Sequence, residues 1–156
     1  MTTLIATLDA FHCDTHCTSN SGPNFRTPKA FRVDGPNGPL LVGGAGDIAD
    51  VVFVRDLLTA LPLDKLSLMW LTDGWPPAII EKMESDVVVS DGETLWLIDQ
   101  RLVPLELLAD WYVLGSGAEA ANVALNYGDD PHEALYRASQ VDPLTQTPFL
   151  TVNLHG

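Results

Sequence analysis

The chain has 156 residues, 46% of them hydrophobic, which suffices for one sizeable core and is too short for two, so residues 1–156 are expected to form a single domain. Its 21 acidic residues against 8 basic ones give a formal net charge of -13, which opposes binding to nucleic acid or to anionic membranes and excludes a phosphate-reading role. No signal-like leader and no apolar run near the ~20 residues that span a bilayer are evident, and the two cysteines, Cys13 and Cys17, are too few and too close for a disulfide framework. A cytoplasmic location is the expectation.

In chain order, Thr2 to Leu8 alternates Leu4, Ala6 and Leu8 against Thr3, Ile5 and Thr7, a strand covered on both faces. A second strand is expected over Phe11 to Thr18, then a polar loop from Ser19 to Phe25 and an extended segment from Lys29 to Val33. Asp34 to Pro39 makes a tight turn into Leu40-Leu41-Val42, and Gly43 to Gly46 forms a glycine turn where the period changes. Ile48, Val51, Val52, Arg55, Leu58 and Leu61 then have helical spacing, with Asp47 favouring the helix N-terminus and Pro62 stopping it. Leu63 to Ser85 is broken by Gly74, Pro76 and Pro77 into short pieces, read as two short helices.

Asp86 to Asp91 and Thr94 to Asp99 flank Asp91-Gly92, a hairpin signal. A strand over Trp111 to Leu114 ends in Gly115-Ser116-Gly117, and Ala118 to Leu125 reads as a small-residue helix. Asp130-Pro131 caps another helix over His132 to Val141, and Phe149 to Leu154 closes as a strand. Strands and helices do not alternate, which disfavours a parallel doubly wound sheet. Short turns between most strands point instead to an α+β layered sandwich of antiparallel sheets with helices on the outer faces.

The opening Met1-Thr2-Thr3 carries chemistry of its own. Methionine is usually removed before a residue as small as threonine, leaving Thr2 with a free α-amino group beside its hydroxyl. An α-amine with a reference pKa of about 7.7–8.0 can take the proton of that hydroxyl near neutral pH, making a self-contained nucleophile and base. Taken alone, Thr2-Thr3 reads first as a plain start to a strand.

Six segments resemble, in order, the proteasome β-subunit family of N-terminal nucleophile hydrolases, which includes the HslV-type peptidases. TTLIAT resembles that family's threonine-led first strand, and CDTHCT (Cys13 to Thr18) its Asp-containing second segment. Lys29 opens a strand after a loop, as the family lysine does, and VGGAGDIAD (Val42 to Asp50) is similar to its glycine turn and helix start. LGSGAEAA (Leu114 to Ala121) resembles its Gly-Ser-Gly motif, and DPLTQTPF (Asp142 to Phe149) its late Asp-x-x-Ser/Thr segment.

The resemblance implies a four-layer αββα sandwich of two antiparallel sheets flanked by helices. It also implies a threonine peptidase that cleaves peptide bonds of unfolded proteins through an acyl-enzyme on Thr2. Lys29 would disfavour protonation of the α-amine, with Asp14 offsetting and orienting it. Gly43, where the chain is expected to leave a strand, would present its N–H to an oxyanion. Ser116 would bond the amine or a water, while Asp142 and Thr145 hold Thr2 and Ser116 in place. No cofactor or metal is implied; the partners implied are a homo-oligomeric ring and an ATP-dependent unfoldase.

The chain also departs from the family. The span from Thr2 to Asp14 is short, so Asp14 meets the lysine only if the first hairpin is trimmed evenly; otherwise His16 takes its place. Leu63 to Ser85 is short where the family has a long helix. Two other functions remain open on sequence: an inert ring or shell component, and an amidase acting on a small molecule. His12, Cys13, His16 and Cys17 have i, i+4 spacing that would suit zinc on a helix, but the segment reads as a strand, where only alternate side chains share a face.

Overall fold

The computed structural model describes residues 2–18, 23–71 and 85–156. In chain order these form β1 (Thr3–Thr7), β2 (Ala10–Asp14), β3 (His16–Cys17), β4 (Phe25–Arg26), β5 (Ala30–Gly35), β6 (Gly38–Ala45) and α1 (Ile48–Ala60). A 3-10 segment (Leu63–Leu71) follows, then β7 (Asp86–Ser90), β8 (Leu95–Ile98), β9 (Pro104–Leu107), β10 (Trp111–Gly115), α2 (Ala118–Asn126), α3 (Pro131–Val141) and β11 (Phe149–Asn153). The chain is a mixed α and β structure whose described strand pairs are all antiparallel.

One sheet has the order β10-β1-β2-β11 and the other β5-β6-β7-β8-β9. Strand β1 lies inside the first sheet, and its alternation decides what each face meets. Leu4 and Ala6 join Phe11, Cys13, Ala30, Leu41 and Val88 in a core between the two sheets. Ile5, on the opposite face, packs with Val113 and with Ala121, Ala124, Ala134, Leu135 and Ala138 of α2 and α3. A third core puts Val51, Val54 and Leu58 of α1 against Val33, Val42, Val87 and Val89 of the second sheet.

Local chemistry sets the ends of the helices. The Asp47 carboxylate accepts the Ala49 N–H at 3.0 Å to start α1, and the Asp130 carboxylate accepts the Glu133 N–H at 2.9 Å to start α3, with Pro131 in its first turn. In the β7–β8 turn, Asp91 Oδ1 accepts the N–H groups of Glu93 and Thr94 at 2.9 and 2.8 Å.

Four points of the sequence reading need correction. The strand over Phe11 to Thr18 breaks at Thr15: β2 pairs within the first sheet, whereas β3, among the described residues, pairs with β4. Strand β6 runs on to Ala45, because Gly43 and Gly44 pair with Val88 and Val87 of β7, so the chain leaves the sheet at Gly46 (φ +113°). Strand β9 was not foreseen; its Pro104, Leu105, Glu106 and Leu107 lack a clean alternation, and it is an edge strand, where proline is tolerated. Leu63 to Leu71 is one 3-10 segment in place of the first of two short helices, and the second falls in 72–84, outside the described residues.

Phe11 is fully buried where the sheets meet. Phe11→Ala is expected to cost about 3–5 kcal/mol, read as a lower urea midpoint with an unchanged m-value.

Candidate active site

Thr2 precedes β1 and is buried, at 3% exposure. Alternation carried back one residue puts it on the face of Leu4 and Ala6, toward the second sheet, and puts Thr3 on the opposite face. The peptide joining Thr2 to Thr3 is held at both ends. Its carbonyl accepts the Ser116 N–H at 2.8 Å, and its N–H donates to Asp14 Oδ1 at 3.1 Å.

The close approach on the carbonyl side requires glycine. Gly115 has φ +102°, and a Cβ there would lie 1.5 Å from the Thr2 carbonyl oxygen. Gly117 donates its N–H to Thr3 Oγ1 at 3.0 Å, and a Cβ on it would lie 2.2 Å from that oxygen.

Asp14 and Lys29 are both buried, with Lys29 Nζ 3.1 Å from Asp14 Oδ1. Lys29 Nζ also donates to the His16 carbonyl. The first hairpin is therefore trimmed evenly: Asp14 is the lysine's carboxylate, and His16 contributes its backbone. Asp14 Oδ1 thus takes two donors, while Oδ2 finds none among the described residues.

Ser116, Asp142 and Thr145 also come together. Asp142 Oδ2 accepts from Ser116 Oγ and from Thr145 Oγ1, the latter at 2.7 Å, and Thr145 Oγ1 lies 2.6 Å from Thr3 Oγ1. Burial works against the charged form of Asp142, but the hydrogen bonds from Ser116, Thr145 and the Leu144 N–H outweigh it and hold the carboxyl below its ordinary pKa. Ser116, Gly117 and Asp142 line one end of an open groove of about 1120 Å³ between α2 and α3.

Gly43 does not join this group as foreseen. It lies inside β6, registered between Ala30 and Val88, and a Cβ there would lie 2.6 Å from Leu4 Cδ1 and 3.1 Å from both Phe11 Cδ2 and the Lys29 carbonyl. Its place at a strand exit, the ground for giving it an oxyanion contact, is lost, since the exit is at Gly46. Thr3 is the residue that sequence reasoning passed over. A second threonine in a strand start carries no signal until its partners, 114 and 142 residues away, are known.

The cysteine and histidine cluster also resolves. Cys13 lies in the core between the sheets, where burial pushes its thiol up to about 12, while His12 on the other face of β2 contacts Thr151 Oγ1 at 3.0 Å. The pair therefore cannot ligate one ion together.

No protein-family model matches the chain, and no curated protein does. Solved structures do share its fold. HslV from Trypanosoma brucei is 20% identical over 96% of this chain and 97% of that one, with a TM-score of 0.65. Thiobacillus denitrificans BPH, also solved in complex with epoxomicin, is 14% identical over 98% of this chain and 97% of that one, with a TM-score of 0.65. A Gly-1 mutant of Anbu from Hyphomicrobium sp. strain MC1 is 12% identical over 98% of this chain and 81% of that one, with a TM-score of 0.68. The structural neighbours are thus HslV and Anbu, proteasome-like proteins, at low sequence identity.

Removing one member of a buried ion pair strands the other. Lys29→Met is expected to cost about 3–5 kcal/mol, most of it recovered in Lys29→Met/Asp14→Asn, measured by urea denaturation. In native protein at pH 8, iodoacetamide is expected to alkylate half-buried Cys17 and leave Cys13 unmodified, read by peptide mass spectrometry.

Proposed function

We propose that the chain is an N-terminal threonine peptidase of the proteasome and HslV kind, built as a four-layer αββα sandwich. The observation that carries this reading is the sharing of Asp14 Oδ1 by Lys29 Nζ and the Thr3 N–H, which gathers a buried cation and carboxylate around the peptide bond of Thr2. With Met1 removed, the Thr2 α-amine takes the proton of Thr2 Oγ1 as that oxygen attacks a peptide carbonyl. The amine then protonates the leaving nitrogen, and water releases the acyl group from Thr2.

In this scheme the positive charge of Lys29 disfavours a second positive charge on the amine, keeping it a base near neutral pH. Asp14 holds the lysine by its carboxylate and His16 by its carbonyl. Ser116, Asp142 and Thr145 form the opposite wall, and no metal or cofactor enters a step. The substrate class is an unfolded or threaded polypeptide. The assembly is a homo-oligomeric ring, for which exposed Val123 on α2, Tyr127 just after it, and Tyr136 and Val141 on α3 supply apolar surface to cover. An ATP-dependent unfoldase would deliver substrate to it.

Protein from the native host is expected to have an intact mass lacking Met1 and to gain one epoxomicin on Thr2. Thr2→Ala should abolish both adduct and peptide cleavage while keeping the fold. Lys29→Ala removes the nearby positive charge, so the amine pKa rises, and the acid limb of the rate profile should move to higher pH. Retained Met1 in most molecules, or Thr2→Ala cleaving at the parent rate, would refute the mechanism. Retained Met1 would point instead to an inert shell component.

A further inference from the structure

Each hydroxyl near Thr3 has one proton to donate, and this fixes the direction of the hydrogen bonds. Asp142 Oδ2 accepts from both Ser116 Oγ and Thr145 Oγ1. Thr145 has then spent its proton on the carboxylate, so in its 2.6 Å contact with Thr3 it accepts, and Thr3 Oγ1 donates. Thr3 Oγ1 in turn accepts the Gly117 N–H at 3.0 Å. The chain runs one way: from Gly117 N–H to Thr3, from Thr3 to Thr145, from Thr145 to Asp142, with Ser116 converging on the same carboxylate oxygen.

We infer that Thr3 is a positioning residue for the Thr2 nucleophile, its hydroxyl being the middle link of a one-way hydrogen-bond relay that ends on Asp142. The inference rests on the peptidase reading. The peptide between Thr2 and Thr3 is already fixed at two points, its carbonyl on the Ser116 N–H and its N–H on Asp14 Oδ1. Two points leave it free to rock about the line between them. The Thr3 hydroxyl supplies the third, tying the strand to Gly117 on one side and to Thr145 on the other. The carboxylate end gives the relay its direction, since every hydroxyl dipole points toward the negative charge and each donor strengthens the next.

Gly117 shows how closely the relay is fitted, because a Cβ there would lie 2.2 Å from Thr3 Oγ1 and 3.0 Å from Thr145 Oγ1. Thr3 itself is fully buried, and its hydroxyl touches neither Lys29 nor Asp14 among the contacts of the site. Its effect on the reaction therefore passes through the geometry of Thr2.

The test compares Thr3→Val, Thr3→Ser and Thr145→Val, each with a free Thr2 verified by mass. Peptide hydrolysis is followed as kcat and KM across pH, and the Asp142 carboxyl is titrated by carbon-13 NMR. Thr3→Val keeps the shape and loses the hydroxyl; it should lower kcat about ten- to a hundredfold with KM near the parent's, and Thr3→Ser should restore kcat to within a few-fold. Thr145→Val removes a donor from Asp142, so its carboxyl should titrate at higher pH, whereas Thr3→Val leaves both donors in place, weakens only the Thr145 link, and should move the titration less in the same direction. A parent-like kcat in Thr3→Val, or a Thr3→Ser as slow as Thr3→Val, overturns the positioning role. An unmoved Asp142 titration in Thr145→Val overturns the relay. If the parent with a free Thr2 neither hydrolyses peptide nor reacts with epoxomicin, the peptidase reading and the positioning role fall together, and the titration still decides the relay.

Discussion

A single carboxylate oxygen, Asp14 Oδ1, takes a strand N–H and a lysine ammonium at the same distance of 3.1 Å, and the two donors come from different sheets. The N–H belongs to β1 in the first sheet, and Lys29 directly precedes β5 in the second. A buried carboxylate is costly unless it is paired and hydrogen-bonded, so the pairing constrains both sheets together. The packing of Leu4 and Phe11 against Leu41 and Val88 supplies the burial, and the shared oxygen sets where along the sheets the two halves meet.

The α2–α3 side of the first sheet is also fixed by other means. There the contacts are neutral hydroxyls, backbone N–H groups and small residues, with Ala121, Ala134 and Ala138 letting α2 and α3 approach Ile5 closely. In the hydroxyl network the charge is that of Asp142, which lies at the rim of the α2–α3 groove, where solvent screens it. The start of β1 is therefore held by a dry ion pair and by a wetter hydroxyl network. The first is insensitive to salt, and the second is open to whatever occupies the groove.

Much of this was legible in the sequence because the signals were local. Asp47, Asp130 with Pro131, and Asp91 with Gly92 each act within four residues, and each marks an element the structure contains. Lys29, Asp14, Ser116, Asp142 and Thr145 could be named because a family resemblance supplied their long-range pairing, which spacing alone does not. What was missed depends on tertiary context. Thr15 breaks a strand because β3 has its own partner in β4, an event with no composition signal. Gly43 and Gly44 look like a turn and are strand, because β7 pairs with them and the core leaves no room for side chains there. Thr3 gave no sign at all, since its role exists only through Gly117 and Thr145.

Gly43 has a mechanical meaning beyond its place in the ladder. The space a side chain would take is already filled by Leu4 of the first sheet, by Phe11, and by the carbonyl of Lys29 itself. Any larger residue would act as a wedge driven between the sheets, pushing first on the Leu4 side chain and then on Phe11 and on the backbone that carries the buried ammonium. A small change in volume more than one side chain away from Thr2 would thus be transmitted as a displacement of charge. In this chain, steric tolerance and electrostatic alignment are set at the same residue.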